Sequence, residues 1–421
     1  MDSNANSNSN VNTNRYRRSQ ELFARAAQVI PCGIYGHASP AAALPGAFPY
    51  YADRALGSRY WDVDGNEYID YLCGYGPVIL GHQHPGVEEA AARQQRDALC
   101  VNHPGRVMVE LAEYLVSLVD FAAWAVFGKN GSDMTTWCLQ VAREHTQRRK
   151  ILKVAGAYHG IDPWCSPGHA GLLEEDRAHI HDFAWNDLES FDRLLERYRG
   201  DIAGVIMTPF HHPIFKPSVM PAPGFWSHIE AACRDAGIVL ILDDIRAGFR
   251  LDLRGSHRVF GFEPDLICFC KAIANGHALS AALGRKELRV AASRVFLTGS
   301  YWNSPPAMAA ALACLQILKE QQIVATLRRT GEMLMQGLVQ AGAKHGYAML
   351  ASGPPAVPFL SFIDDPSSRR QQRFCAEVTR RGAFFHPHHN WFVSAAHTPE
   401  DVIATLRMAD EAFAVMQDEG L

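Results

Sequence analysis

A chain of 421 residues that is 48% hydrophobic can bury a large core, and this length favours one large domain with a smaller companion over a string of modules. Its 40 Lys and Arg residues stand against 44 Asp and Glu, a formal net charge of −4 with no block of either sign, so neither nucleic acid nor anionic lipid is the default partner and a small molecule is. Ten cysteines are scattered from Cys32 to Cys375, and the one close pair, Cys268 and Cys270, lies in an apolar run; this reads as reduced thiols in a core, not as a disulfide framework or a zinc site.

Residues 1–14, MDSNANSNSNVNTN, are rich in Asn and Ser and lack the basic and apolar regions of a secretion signal. No segment is apolar for long enough to cross a bilayer, so a disordered tail on a cytoplasmic protein is expected. RYRRSQELFARAAQVIPCGI (15–34) has apolar residues at helical spacing and stops at Pro31 and Gly33. SRYWDVDGNEYIDYL (58–72) alternates apolar and polar residues about Asp64-Gly65, which predicts a β-hairpin.

From about residue 105, helical patterns (107–121, 133–146, 225–237) are interspersed with short apolar β-runs (123–127, 150–156, 202–209, 238–244, 265–270). β-runs without strict alternation, separated by helices, predict an α/β fold with a largely parallel sheet covered on both faces, and ligands of such sheets sit at the C-terminal ends of the strands. After residue 310 the pattern becomes α+β, with helices at 305–322 and 324–346, strands at 359–363 and 382–387, and a final helix at 398–417.

Four strand ends carry polar residues unlike the strands. In FGKNGSD (127–133) a strand gives way to Asn130-Gly131-Ser132 and then a helix, whose free N–H groups suit an anion, although such a turn also serves as a plain N-cap. GAYHG (156–160) offers Tyr158 and His159 for stacking on a flat ring, or for ordinary loop packing. VLILDDIRAGFR (239–250) ends an apolar strand in two carboxylates; Asp243, the more interior, needs a cation or donors to offset its desolvation. FCKAIANGHALSAALG (269–284) sets Lys271 among apolar neighbours, where the neutral amine that attacks a carbonyl is favoured, although a lone lysine more often snorkels to the surface. In combination, an anion-cradling turn, an aromatic, a buried Asp and a Lys match the needs of pyridoxal 5′-phosphate.

In the order and spacing of VIPCGI, WDVDGNEYIDYLCGYGPVILGHQHP, KNGSD, GAYHG, LDDIRAGFR, FEPDLICFCKAIANGHALSAALG and TGSYWNSPPAMAAA, the chain from about residue 20 resembles the class III aminotransferases of fold type I, in the branch that contains glutamate-1-semialdehyde aminomutase. The resemblance implies a large pyridoxal-phosphate domain over 76–310, with a mostly parallel mixed sheet between helices. It also implies a small α+β domain built from 15–75 and 311–421. It makes Lys271 the Schiff-base lysine and proton carrier and Asp243 the partner of the pyridine nitrogen, with Tyr158 and Ile245 on opposite ring faces. Asn130, Gly131, Ser132 and His159 complete the cofactor site, and Ser300 reaches the phosphate of the other subunit, so that a homodimer shares its active sites.

Departures from the aminomutase pattern bear on the substrate. Ser39 replaces the Arg that grips the substrate carboxylate, a loss of about 1.5–3 kcal/mol for a charged hydrogen bond. Tyr75 replaces a Trp, Thr208-Pro209 followed by FHHP replaces a Glu-Pro pair, and FFHPHHNWFVS is shortened. Tyr35, Ser39, Tyr75, His211 and His388 are therefore the candidate substrate pocket, for an amine without the usual gripped carboxylate. The variant pattern is similar to that of family members that deaminate hydrolysed fumonisin, a long-chain amino polyol, with a small 2-oxo acid such as pyruvate as acceptor. Arg246 or Arg250 is a candidate for the acceptor carboxylate, against a structural role for either. The alternatives are a 2,1-aminomutase, a β-amino acid aminotransferase and a catalytically silent cofactor binder. A metal site at His211, His212, His386, His388 and His389 fits no standard ligand spacing, so no metal is expected.

Overall fold

The Asp64-Gly65 turn organises the first sheet in the computed structural model, which describes residues 15–34, 44, 46–213 and 216–421. Strands β1 (Ala52–Leu56), β2 (Arg59–Asp62) and β3 (Glu67–Asp70) form an antiparallel meander, with Tyr60 opposite Tyr68 and Asp62 Oδ1 accepting from the N–H groups of Asp64 and Asn66 at 3.0 and 2.8 Å. The preceding helix, Arg17–Ala26, ends short of Pro31.

Among the described residues the middle of the chain supplies seven strands to one sheet. These are β4 (Trp124–Gly128), β5 (Lys150–Val154), β6 (Ile180–Phe183), β7 (Ile202–Met207), β8 (Val239–Asp243), β9 (Leu266–Phe269) and β10 (Ser280–Gly284), in the order β4-β10-β9-β8-β7-β5-β6. Every residue of β7, β8 and β9 is buried, as unalternating apolar runs require when helices cover both faces. Strand β10 runs antiparallel to both its neighbours, which makes the sheet mixed. Gly284 is where β10 passes β4 and β9: a Cβ there would lie 2.2 Å from the Trp124 ring and 2.7 Å from Leu266.

Towards the C-terminus come a hairpin of β11 (Met349–Ser352) and β12 (Phe359–Phe362) and a short strand β13 (Ala383–Phe384). β13 pairs parallel with β3, Ala383 opposite Ile69, so the segments before and after the large sheet share a small one. Of the cysteines, Cys32 and Cys100 are exposed and Cys270 is half-buried, which corrects the reading of all ten as core thiols; none forms a disulfide. No helix among the described residues is long and apolar enough to cross a membrane. The tail, residues 1–14, lies outside the described residues, as do Tyr35 and Ser39.

One buried side chain joins the N-terminal segment to the turn after β9. Asn275 has a left-handed backbone (φ +46), accepts from Ile79 N at 3.0 Å and Leu80 N at 2.8 Å, and donates to Gly81 O at 2.9 Å. Asn275→Ala leaves two N–H groups and a carbonyl unpaired in the interior, and is expected to destabilise the fold by about 2–4 kcal/mol. The check is a lower urea midpoint at unchanged slope.

Candidate active site

Desolvation dominates the carboxyl edge of the large sheet. Asp243 closes β8 and is only 4% exposed; its Oδ2 lies 2.8 Å from Nδ1 of the fully buried His159, and its Oδ1 accepts from Ile245 N at 3.2 Å. His159 follows β5, packs its ring parallel to Trp164 at 6.1 Å, and has its carbonyl held by Thr135 Oγ1 at 2.8 Å. The second carboxylate, Asp244, turns away: Ser256 N donates to it at 2.8 Å and the Ser256 hydroxyl also bonds to it, while burial pushes it up to about 7. Of the pair, Asp243 is therefore the one presented beside His159.

In the register of the sheet Asp243 stands opposite Cys268, and three residues further on is Lys271. Its backbone is left-handed (φ +44) where the strand breaks into a short turn, Lys271–Ala274, and its Nζ donates to the carbonyl of Tyr75 at 2.9 Å. Desolvation first and the nearby Arg246 guanidinium second pull the ammonium down from 10.5 to about 8. An amine so placed is a nucleophile near neutral pH.

The helix Gly131–Thr146 starts immediately beyond β4. Asp133 Oδ2 takes the N–H groups of Lys129 and Asn130 at 2.9 and 2.8 Å, whereas the N–H groups of Gly131 and Ser132, as the first helical residues, have no intrahelical acceptor, an arrangement that suits an anion. A Cβ on Gly131 would lie 2.6 Å from Ile245 Cδ1, and one on Gly160 2.4 Å from Ser132 Oγ, so this turn, Ile245 and the GAYHG loop are in direct contact. Ser132 Oγ also accepts from Ile161 N at 3.1 Å. Tyr158 is 37% exposed on the same loop. A backbone cradle for an anion, a buried carboxylate, an aliphatic side chain and an amine that loses its proton near pH 8 on adjoining strand ends could together hold a flat, phosphorylated aldehyde. The residues present fit pyridoxal phosphate.

The expected pocket residues divide. The Tyr75 ring, 47% exposed, meets His389 edge-on at 5.2 Å and His386 at 6.2 Å; His388 stands one step further, edge-on to His386 at 6.2 Å and 3.1 Å from Gln372 Nε2. His211 stacks on Trp185 at 5.9 Å and pairs through its backbone with Val219. Burial holds His386 down to about 4 and keeps His212 and His389 well below the usual imidazole range. Among the described residues no group of three or more His, Cys, Asp and Glu side chains could hold a metal ion. Ser300 lies on an exposed turn, its carbonyl 3.7 Å from Cys100 Sγ. Arg250 is fully buried and structural: its Nη atoms donate to Val393 O and Gly76 O, each at 2.7 Å, and it lies 4.9 Å above the Phe392 ring. The pairing of His159 with Asp243, the Tyr75 carbonyl and the bond from Arg246 to Asn390 were missed from the sequence; they join segments up to 196 residues apart, and no local pattern marks them.

Comparison with known proteins gives a consistent result. Residues 42–396 match the family described as aminotransferase class-III. Aminopentol aminotransferase of Sphingopyxis macrogoltabida is 42% identical over 402 residues, covering 95% of both chains. A 3-aminobutyryl-CoA aminotransferase of Cloacimonas acidaminovorans is 32% identical over 402 residues, covering 94% of this chain and 97% of its own. The solved PLP internal aldimine form of the FumI protein of Sphingopyxis sp. MTA144 superposes with a TM-score of 0.94 at 42% identity, covering 96% of this chain and 97% of that one.

An amine held near 8 gains its neutral form as pH rises through that value, far below an ordinary lysine. In cofactor-stripped protein, reductive methylation by formaldehyde should label Lys271 with a midpoint near pH 8, read by mass spectrometry of the peptide that contains it. A midpoint at the 10 or so of surface lysines would contradict this placement.

Proposed function

Because this chain belongs to the class III aminotransferases and is a pyridoxal-phosphate enzyme, we propose that it moves an amino group from a long-chain amino polyol of the hydrolysed-fumonisin type to a small 2-oxo acid such as pyruvate. The observation that carries the donor is the 42% identity over 95% of both chains to an enzyme named for an aminopentol. The wall of Tyr75, His386 and His389 supports it: imidazoles kept neutral by burial hydrogen-bond to hydroxyls without demanding a carboxylate.

When bound, pyridoxal phosphate supplies an aldehyde that takes up the amino group and an electron-poor ring that accepts the electron pair left when the adjacent C–H bond breaks. The placement of this chain's residues supports the following roles. Lys271 would hold the cofactor through its amine and, when that amine is free, would carry the proton from the substrate carbon. Asp243 would hold the pyridine nitrogen, and His159, 2.8 Å from its Oδ2, fixes the carboxylate. The N–H groups of Gly131 and Ser132, with Asn130 beside them, would bind the phosphate, and Tyr158 and Ile245 would pack against the ring. Ser300, on its exposed turn, would serve the phosphate of a second subunit in a homodimer with shared sites. Ten cysteines with no disulfide among them support a reducing compartment such as the cytoplasm.

A second reading, a donor with the amine β to an acyl group, is favoured by the 32% identity to 3-aminobutyryl-CoA aminotransferase. A panel of amine donors with pyruvate separates the two: the amino polyol and long aliphatic amines should react well, and reaction of β-amino acids alone would overturn the first reading. A mutase would instead isomerise its substrate with no 2-oxo acid present.

Lys271→Ala should lower turnover by at least about a thousandfold with folding intact by circular dichroism. Asp243→Asn should slow the reaction by about a hundredfold and loosen cofactor retention, read by the cofactor absorbance remaining after gel filtration. Full activity in the Lys271→Ala protein would overturn its assignment.

A further inference from the structure

Arg246 follows the pair Asp243-Asp244 and Ile245, and its guanidinium stands at the site with its charge unspent. Its Nη1 donates to Asn390 Oδ1, and among the described residues it forms no ion pair with a carboxylate. The carboxylate that attracts it most, Asp243, is bonded to His159. Of its other neighbours only the Tyr158 phenol favours the cation, and it is not a carboxylate; Lys271 is a cation or a neutral amine, and His212 and His389 are imidazoles that burial and Arg246 itself keep unprotonated. His212 is half-exposed at most as a residue, yet its Nε2 is buried without a hydrogen-bond partner. Desolvation lowers Arg246 to about 10, so it remains charged at neutral pH. Arg250, four residues on, shows the contrast: its guanidinium is spent on two backbone carbonyls and an aromatic ring.

A desolvated guanidinium without a counter-ion is costly in a resting protein and well suited to an incoming carboxylate, which it engages with two parallel N–H groups. We propose that Arg246 is the carboxylate-binding residue of the site, seating the 2-oxo acid acceptor, with Asn390 holding the guanidinium in place. This rests on the function proposed above and extends it to a site that must serve two unlike substrates in turn. A donor without a carboxylate leaves the guanidinium to Asn390 and to its own hydroxyl lone pairs, whereas a 2-oxo acid brings the missing charge.

Two measurements on the holoenzyme test this. Isothermal titration with oxamate, a pyruvate-shaped carboxylate that cannot accept an amino group, should show affinity about ten- to a hundredfold weaker in Arg246→Gln and partly restored in Arg246→Lys. The ratio of kcat/KM for pyruvate to that for propanal, an acceptor without a carboxylate, should fall by a similar factor, and taking the ratio cancels any general damage to the cofactor site. Unchanged oxamate affinity, or an unchanged ratio, in Arg246→Gln would overturn the proposal. Failure of the polyol donor to react in the wild-type enzyme would instead overturn the donor reading and leave the oxamate result to decide on Arg246.

Discussion

Burial of charge at the carboxyl edge of the large sheet is the constraint from which the rest of the site follows. Asp243 ends a strand whose five residues are all buried, and a carboxylate there is tolerated only with a partner, which His159 provides at 2.8 Å. The same low polarity pulls Lys271 down to about 8 and keeps the surrounding imidazoles neutral. The chemistry of an aldehyde cofactor needs that combination: an amine free to attack beside a carboxylate held in place by a histidine.

Holding the edge in shape requires ties between distant segments, and these are polar and buried. Arg250 links the carbonyls of Gly76 and Val393, joining the N-terminal segment and the C-terminal region to the loop after β8. Gly76 permits this because its φ is +107 and a Cβ would lie 2.8 Å from the Phe392 ring. Asn275 makes the second tie, to residues 79–81. Both ties fall within six residues after Tyr75, whose carbonyl receives the Lys271 amine while its ring forms the pocket wall with His386 and His389. The small sheet, closed by β13 against β3, brings the two ends of the chain to the same place.

Legibility followed the range of the forces involved. The strands β4, β5, β7, β8 and β9 stand out because a parallel sheet buried on both faces imposes continuous apolar runs, and the Asp64-Gly65 hairpin shows in its alternation. The helix Arg369–Arg381 does not, because most of its residues are charged or polar and it is held partly by ion pairs such as Arg373–Glu377 and Arg381–Glu377. Strand β6, with one fully buried residue, and the antiparallel β10, hidden in a run of small residues, are equally faint.

The sequence by itself determined the mostly parallel sheet, the strand-end positions of Gly131, Ser132, Tyr158, Asp243 and Lys271, and the family to which they belong, because each rests on a contiguous stretch whose chemistry is unusual for its setting. Only the tertiary structure decided which of two adjacent carboxylates pairs with His159, which late histidines meet Tyr75, and that Arg250 is spent on carbonyls while Arg246 is not. Those choices depend on contacts between segments remote in the chain and on how much water each pocket retains, and neither quantity is written in any local run of residues.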